Sequence, residues 1–444
     1  MSGVGENSAS GAAVDVGGVE DEEQHAGRRV ARPDPPPRYP TRVLLLLACQ
    51  TDLAAPVTLA SDAAPVERVP GTGDEDDDDP SDLDVYADTG ILSFGIELDQ
   101  AAIDTLAAAP TTYVTGTFTF RDERHEGVGV RLKGNSTYQW LDGKPAWKVK
   151  FDESDVGARF HGLERLTLDS NYWDGSQMAE TLAYRVWREA DAPAPRTGYA
   201  RVTFNGEPYG LYTIVEAMDD DFVRRWWPDS GGGLYEMGRT CDFDADCSCY
   251  EIQETGPNFD PDGLGHACAA AASGDATEIR AHWDWERFVR FQAVERVVNH
   301  PDTYSYNLNN YFVYHDPLTD RVTLTPWGAD STFSYAYPPN EPKPCQPGIF
   351  DDLAGSPSGY MAQWCMADAT CLADVRTSML EVADQLEQRD LAGRVDQTAA
   401  RIRDAVAEEP RWPWGIETFE SQVDCFRTWI TDRPAQVRAW ATGG

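Results

Sequence analysis

From Gly90 the chain sets apolar side chains at every second position in short runs bounded by turn residues, the period of half-buried strands. Residues 93–98, 113–121, 127–133 and 147–151 carry this pattern. In the last of them Lys148 and Lys150 alternate with Trp147, Val149 and Phe151, so one face is cationic and the other buried. The period then lengthens. Met178, Leu182 and Val186 recur four apart, Asp174 stands as an N-cap with Gln177 three residues on, and Pro193 and Pro195 forbid continuation, which predicts a helix through about Ala190. Strands return over residues 199–204 and 209–215, turned at Asn205-Gly206.

The second half reads differently. Residues 283–298 predict a buried helix, with Trp285, Phe288, Val289, Phe291 and Val294 on a broad apolar face. A short aromatic strand over residues 311–314, a turn at 316–320 and a β-type run over 321–325 lead into a loop holding Asp330. Residues 372–407 and 416–442 predict further helices. The class is therefore α+β, β-rich first and mainly helical afterwards.

Residues 1–41 and 50–84 lack hydrophobic periodicity, and the second ends in the acidic block of residues 74–79. Such segments bury too little apolar surface to offset the entropy of ordering, so residues 1–84 read as a disordered leader and acidic spacer. Within them Arg42, the apolar residues 43–48 and Cys49 resemble a bacterial lipoprotein export signal with Cys49 as the lipidated residue. Contact with a membrane is expected only through that anchor.

Charge narrows the partners. Residues 1–80 carry 16 acidic and six basic side chains, so about −28 of the formal −38 falls on the remainder. A surface this acidic repels phosphate backbones, which argues against nucleic acid and requires bound cations before a triphosphate can approach. Eight of the nine cysteines fall in two clusters (241, 247, 249 and 268; 345, 365, 371 and 425), an even set that suggests four disulfides and an oxidising compartment. Zinc is the rival for Cys241, Cys247 and Cys249, although C-x5-C-x-C lacks the usual C-x2-C pairing. In the same region Asp242, Asp244 and Asp246 alternate, and Asn258, Asp260, Asp262 and Gly263 open like a calcium loop whose closing Glu is replaced by Ala269. Structural Ca²⁺ and plain turn residues are both open readings there.

The chemistry concentrates in residues 299–333, NHPDTYSYNLNNYFVYHDPLTDRVTLTPWGADSTF, where one Asp, a cluster of Asn and a second Asp surround the hairpin. Hard divalent cations take oxygen ligands, so an Asn at the end of one loop and an Asp beyond the returning strand can share a metal. With RLKGNST (131–137), KPAWKVKF (144–151), LDSNYWDGSQM (168–178) and FNGEPYGLYTIVE (204–216) upstream, the chain resembles the CotH kinase family, secreted or spore-coat proteins with an atypical protein-kinase fold.

That resemblance implies a two-lobed kinase-like fold: residues 85–230 a β-rich small lobe, 231–275 a cysteine-rich insertion, and 276–444 a mainly helical large lobe. It implies Mg²⁺ (or Mn²⁺) and ATP as cofactors, Asp302 as acceptor of the substrate proton, and Asp330 with Asn310 or Asn307 as metal ligands. Lys144 and Lys148 compete for the lysine that meets the phosphates. Arg131, Lys133, Asn135 and Ser136 would cover the nucleotide, and Glu180 and Glu216 stand where an orienting or hinge carboxylate belongs. The expected activity is phosphoryl transfer to Ser or Thr of a protein substrate, such as a surface or coat protein. The alternatives are another ATP-dependent protein modification, or a non-catalytic surface module.

Overall fold

The computed structural model describes residues 84–87, 90–134, 138–237, 240–243, 247–333 and 357–442. The leader and spacer, Cys49, Asn135, Ser136, Asp244, Asp246 and Cys345 lie outside the described residues.

Seven strands close into a barrel in the order β1-β2-β3-β4-β5-β7-β6. They are β1 (Leu92–Glu97), β2 (Val114–Phe120), β3 (Glu123–Lys133), β4 (Ala146–Lys150), β5 (Arg165–Asp169), β6 (Thr197–Phe204) and β7 (Glu207–Val215). Helix α1 (Gln100–Ala108) follows β1, and α2 (Ala179–Glu189) joins β5 to β6. Neighbouring strands are antiparallel except β1 and β6, which run parallel from Leu92↔Ala200 to Ile96↔Phe204 and complete the closure. The interior holds Phe94, Phe118, Phe120, Phe151 and Phe160, with ring centroids 4.9–5.9 Å apart. Asn205 (φ 48°) and Gly206 (φ 83°) turn the β6–β7 hairpin with the two left-handed residues that a tight turn of this twist needs.

The mixed helix and strand content is as expected, but the first half is a closed seven-stranded barrel and the whole is not the clearly two-lobed fold that the resemblance implied. Closure depends on one long-range parallel pairing, which local alternation cannot report. The helix expected from Asp174 starts later, at Ala179. Asp174 still caps it from outside, its Oδ2 accepting from the Ala179 amide at 2.8 Å while Oδ1 accepts from Ser176 N and Oγ at 2.8 and 2.6 Å.

A second sheet, in the order β11-β10-β8-β9, comprises β8 (Gly233–Met237), β9 (Tyr250–Thr255), β10 (Tyr311–Asp316) and β11 (Arg321–Pro326). Around it lie α3 (Asp220–Trp226), α4 (Gly263–Ser273), α5 (Ala276–His282), α6 (Trp285–Val297), the single turn α7 (Tyr304–Asn307), α8 (Tyr360–Ala367), α9 (Ala369–Gln388), α10 (Leu391–Ala407) and α11 (Ile416–Ala441). Phe288, Phe291 and Val294 of α6, Val375, Met379 and Val382 of α9, and Phe426 and Ile430 of α11 are buried in one core. The long run expected over residues 372–407 breaks at Asp390, which takes φ 50° and caps Gly393 N with its own carboxylate, starting α10.

The cysteines of the insertion are disulfide-bonded, Cys241 to Cys249 and Cys247 to Cys268; Cys365 pairs with Cys371, and Cys425 is bonded as well. The cross-links leave no thiolates there for zinc. Residues of the calcium-like loop make turn contacts. Asn258 donates to Asp229 at 2.7 Å, Asp260 accepts from Asp262 N at 2.9 Å, and Asp262 stands at the start of α4.

Candidate active site

Helix α6 leads into the Asp302 loop and then anchors it. Its Glu295, fully buried, accepts from Thr303 Oγ1 at 3.1 Å and pairs with Arg296 at 3.1 Å, while the His300 amide returns to the Glu295 carbonyl at 2.8 Å. Burial pushes the Glu295 carboxyl up to about 7, against the pull of Arg296 and the Thr303 and Ser305 bonds. His300 is buried beside Trp187, and burial pulls its pKa down to about 4, so the ring beside the loop is neutral at physiological pH.

This turn presents Asp302 to three side-chain amides. Asn307 Nδ2 donates at 2.5 Å, Asn309 Nδ2 at 3.0 Å to each oxygen, and Asn310 Nδ2 at 2.9 Å. The sequence left Asn307 and Asn310 as competitors and passed over Asn309; the structure brings all three to one carboxylate. With Nδ2 committed, each amide keeps Oδ1 as its acceptor, the atom a hard cation takes. Left-handed backbone at Leu308 (φ 49°) and Asn310 (φ 52°) folds so many amides into so short a segment.

The hairpin of β10 and β11 carries the chain back to Asp330. The Trp327 amide donates to the Asn310 carbonyl at 3.0 Å, and Gly328 follows with φ 53°. A Cβ there would meet Asn310 Oδ1 at 2.8 Å, so the close approach and the dihedral both require glycine. Asp330 sits in the turn Ala329–Ser331, whose following Thr332 donates to the Ala329 carbonyl at 2.8 Å. Burial and Asp169 push the Asp330 carboxyl up to about 7, Lys133 opposing and Asp174 and Asp302 adding to the rise.

The cation facing Asp330 is Lys133, at the end of β3. Lys133 Nζ donates to Asp169 Oδ2 at 2.6 Å, and its ammonium lies 5.5 Å from the centroid of the Trp327 ring. Against the cost of burial, Asp169, Glu180 and Asp330 raise its pKa. Glu180, on the first turn of α2, is buried and accepts from Tyr184 at 2.8 Å through Oε1; its Oε2 has no protein partner. Burial and Asp169 push it up to about 8, Lys133 opposing and Asp330 adding. The sequence reading assigned Lys133 to a phosphate-covering turn and missed Asp169. The L-x-L-D ending of β5 was the available signal, since an acid closing a buried strand needs a cation.

Beside this group a cleft of about 220 Å³ opens between the barrel and the second sheet. Arg131, Lys148, Lys150 and Arg165 line its barrel side, and Ala217, Met218, Phe312 and Trp327 close it. Burial, with Arg131, Lys133 and Arg165 nearby and Glu236 opposing, pulls the Lys148 ammonium down to about 8. Lys150 is paired with Asp152 and Glu153, and Arg165 with Glu164 and Glu254, while Arg131 and Lys148 add positive charge to the cleft wall.

Two expected site residues are committed elsewhere. Lys144 is fully buried and its ammonium pairs with Glu409 at 3.2 Å, while Glu409 also accepts from Leu211 N at 2.7 Å. It ties the barrel to the end of α10 and does not reach the cleft as a free cation. Lys144→Met, which strands the Glu409 charge, is expected to cost about 3–5 kcal/mol in urea melts. Nucleotide affinity should not change; if it fell tenfold at unchanged stability, Lys144 would belong to the site.

Glu216 is likewise buried, held by Arg196 at 2.9 Å and by Arg225. It anchors the segment whose next residues, Ala217 and Met218, close the cleft. Despite burial, Arg225 and Arg196 pull its carboxyl down to about 2. A depressed carboxyl stabilises the fold above its unfolded value, and that stability is lost as pH falls toward 2. Glu216→Gln is expected to cost on the order of 3 kcal/mol at neutral pH and to flatten this acid dependence. Chemical denaturation between pH 7 and pH 2.5 checks this, and equal stability at pH 7 would contradict it.

Comparison with known proteins follows the same residues. A family model described as CotH kinase protein matches residues 130–437. The chain is 22% identical to the inner spore coat protein H of Bacillus subtilis (strain 168) over 189 residues, 39% of this chain and 51% of that protein, so it spans about half that relative's length. Among solved structures, the Helicobacter pylori proinflammatory kinase CtkA is 9% identical with a TM-score of 0.30, covering 75% of this chain and 92% of that one. HipA of Shewanella oneidensis MR-1, solved with HipB and operator DNA, gives 12% and 0.28, covering 78% and 73%. Superpositions this loose carry no argument. The family match covers most of the chain and includes Lys133, Asp169, Glu180, Asp302, Asn310 and Asp330: the protein belongs to the CotH kinase family.

Proposed function

We propose that this chain is a kinase-type phosphotransferase that passes the γ-phosphoryl group of Mg-ATP to a Ser or Thr hydroxyl of a protein. The observation that carries this reading is the role of Asp330, which joins the Asp302–asparagine cluster to Lys133, Asp169 and Glu180 beside a cation-lined cleft.

The donor set fits a hard divalent cation. It consists of the Asp330 carboxylate and the side-chain oxygens of Asn310 and Asn307, whose amide nitrogens donate to Asp302. Asp330 and Asn310, with Asn307 at the rim, would hold the ion, which when bound would supply charge neutralisation to the phosphates. Lys133 supplies a fixed positive charge to the phosphates and is itself positioned by Asp169 and Glu180. Arg131 and Lys148 hold the remainder of the triphosphate in the cleft. Asp302, oriented by its three amides, accepts the proton of the acceptor hydroxyl as that oxygen bonds to the γ-phosphorus and the bond to the ADP oxygen breaks.

The disulfides and the likeness to a spore-coat protein support an exported workplace, in a coat, envelope or extracellular layer, with a surface protein as acceptor and Cys49 as lipid anchor. Incubation with γ-labelled ATP and a generic protein acceptor, then identification of labelled amino acids, tests the acceptor chemistry. Phosphoserine or phosphothreonine is the expected product. Transfer of the nucleotide moiety instead would overturn the assignment.

A further inference from the structure

Three of the seven histidines gather around one carboxylate at the far end of the β10–β11 hairpin from the site above. His266 comes from α4, His282 from the last residue of α5, His315 from β10, and Asp320 from the hairpin turn. His266 Nδ1 lies 3.2 Å from Asp320 Oδ1, and His282 Nδ1 lies 3.2 Å from Oδ2. His315 Nε2 lies 2.9 Å from Oδ1.

We propose that His266, His282 and Asp320 form a binding site for a divalent transition-metal ion of the zinc class, with His315 as the residue that positions the carboxylate. The proposal is independent of the phosphotransferase reading.

Geometry supports it first. Two ligand atoms at 2.0–2.2 Å from one tetrahedral ion stand roughly 3.3–3.5 Å apart. The nitrogen-to-oxygen separations already approach this, and all the ligand atoms lie within 4.8 Å of one another. The two rings are 5.6 Å apart, and His266 is half-exposed, so a small side-chain movement closes the set. The fourth position faces solvent and takes water.

The surroundings support it second. His315 is 1% exposed, its Nε2 is aimed at Asp320, and its Nδ1 has no partner. Gly263 lies directly over this ring, where a Cβ would meet the imidazole carbon at 2.2 Å, so the packing holds the ring in place. A buried imidazole that donates to a ligating carboxylate fixes its orientation, as outer-shell partners do in metal centres.

Donor chemistry separates this site from the one at Asp330. Imidazole nitrogens with one carboxylate select zinc, copper, nickel or iron, whereas amide and carboxylate oxygens select magnesium or calcium. The ion would staple α4, which carries the disulfide-bonded Cys268, and α5 to the hairpin whose other end carries Asn310 and leads to Asp330.

Zinc titration of the tag-free, oxidised, chelator-stripped protein tests the site by calorimetry, metal analysis and thermal melting. One equivalent of zinc and a raised melting temperature are expected, with affinity falling by about tenfold or more in His266→Ala/His282→Ala and in Asp320→Asn. The same uptake should persist in Asp330→Ala, and cobalt in place of zinc should give tetrahedral visible absorption. No uptake, uptake unchanged in the double variant, or uptake lost with Asp330→Ala would each overturn the proposal. The melting temperature of the metal-free variants shows whether the fold is intact.

Discussion

Asp330→Ala is expected to weaken magnesium-dependent ATP binding by more than about 100-fold, beyond what loss of a supporting partner costs a metal site. Asp302→Ala should leave that affinity within a few-fold of the parent while transfer falls by about 10²–10⁴, the range for a positioned proton acceptor. The difference lies in where each carboxylate stands. Burial first, then Asp169, with Asp174 and Asp302 adding and Lys133 opposing, pushes the Asp330 carboxyl up to about 7, so a cation beside it would be favoured. Asp302 already has three amide donors and is left to act on the acceptor. Because an ion must displace the Asp330 proton, metal–nucleotide affinity should rise with pH from about 6 to 8. Calorimetric titration with Mg-ATP reads both effects; equal binding by Asp330→Ala would remove it from the metal site.

Lys133→Met should lower the transfer rate by about 10²–10³-fold, the scale for losing one preorganised charge that stabilises a transition state. It leaves Asp169, Glu180 and Asp330 facing one another without their cation, so a loss of up to about 3 kcal/mol in stability should accompany it. Lys133→Arg, which keeps the charge, should recover most of the stability but less of the rate, because a planar fork does not replace an ammonium at a fixed distance. Denaturation and single-turnover rates on both variants separate the two contributions. A Lys133→Met enzyme with unchanged rate would shift the phosphate-binding role to Lys148.

The hairpin around β10 and β11 was legible almost residue by residue, because an aromatic strand, a turn and a β-type run all lie within a short span. Asp302, Asn310 and Asp330 could be named for the same reason: the chemistry of one loop is carried by neighbours in sequence. Lys133 and Asp169 were harder, since they are 36 residues apart and meet only because β3 and β5 flank β4 in the barrel. Lys144 and Lys148 stayed open in the sequence on similar grounds. Glu409, the ion-pair partner of Lys144, lies 265 residues away at the end of α10. Alternation identified six of the seven barrel strands and missed β5 (Arg165–Asp169), and the parallel closure of β1 on β6 has no local signature. The His266, His282 and Asp320 group left no trace in the sequence, as its members come from two helices and a turn at irregular spacing.

The most direct measurement is the intact mass of the oxidised protein from about residue 84 onward, and of a generic protein acceptor, after incubation with Mg-ATP. Asp330→Ala and Asp302→Ala are run alongside. A phosphate-sized increment with the parent protein, absent with either variant, is the expected result. An increment of the same size that persists in both variants, or no increment despite metal-dependent ATP binding, would contradict phosphoryl transfer at this site.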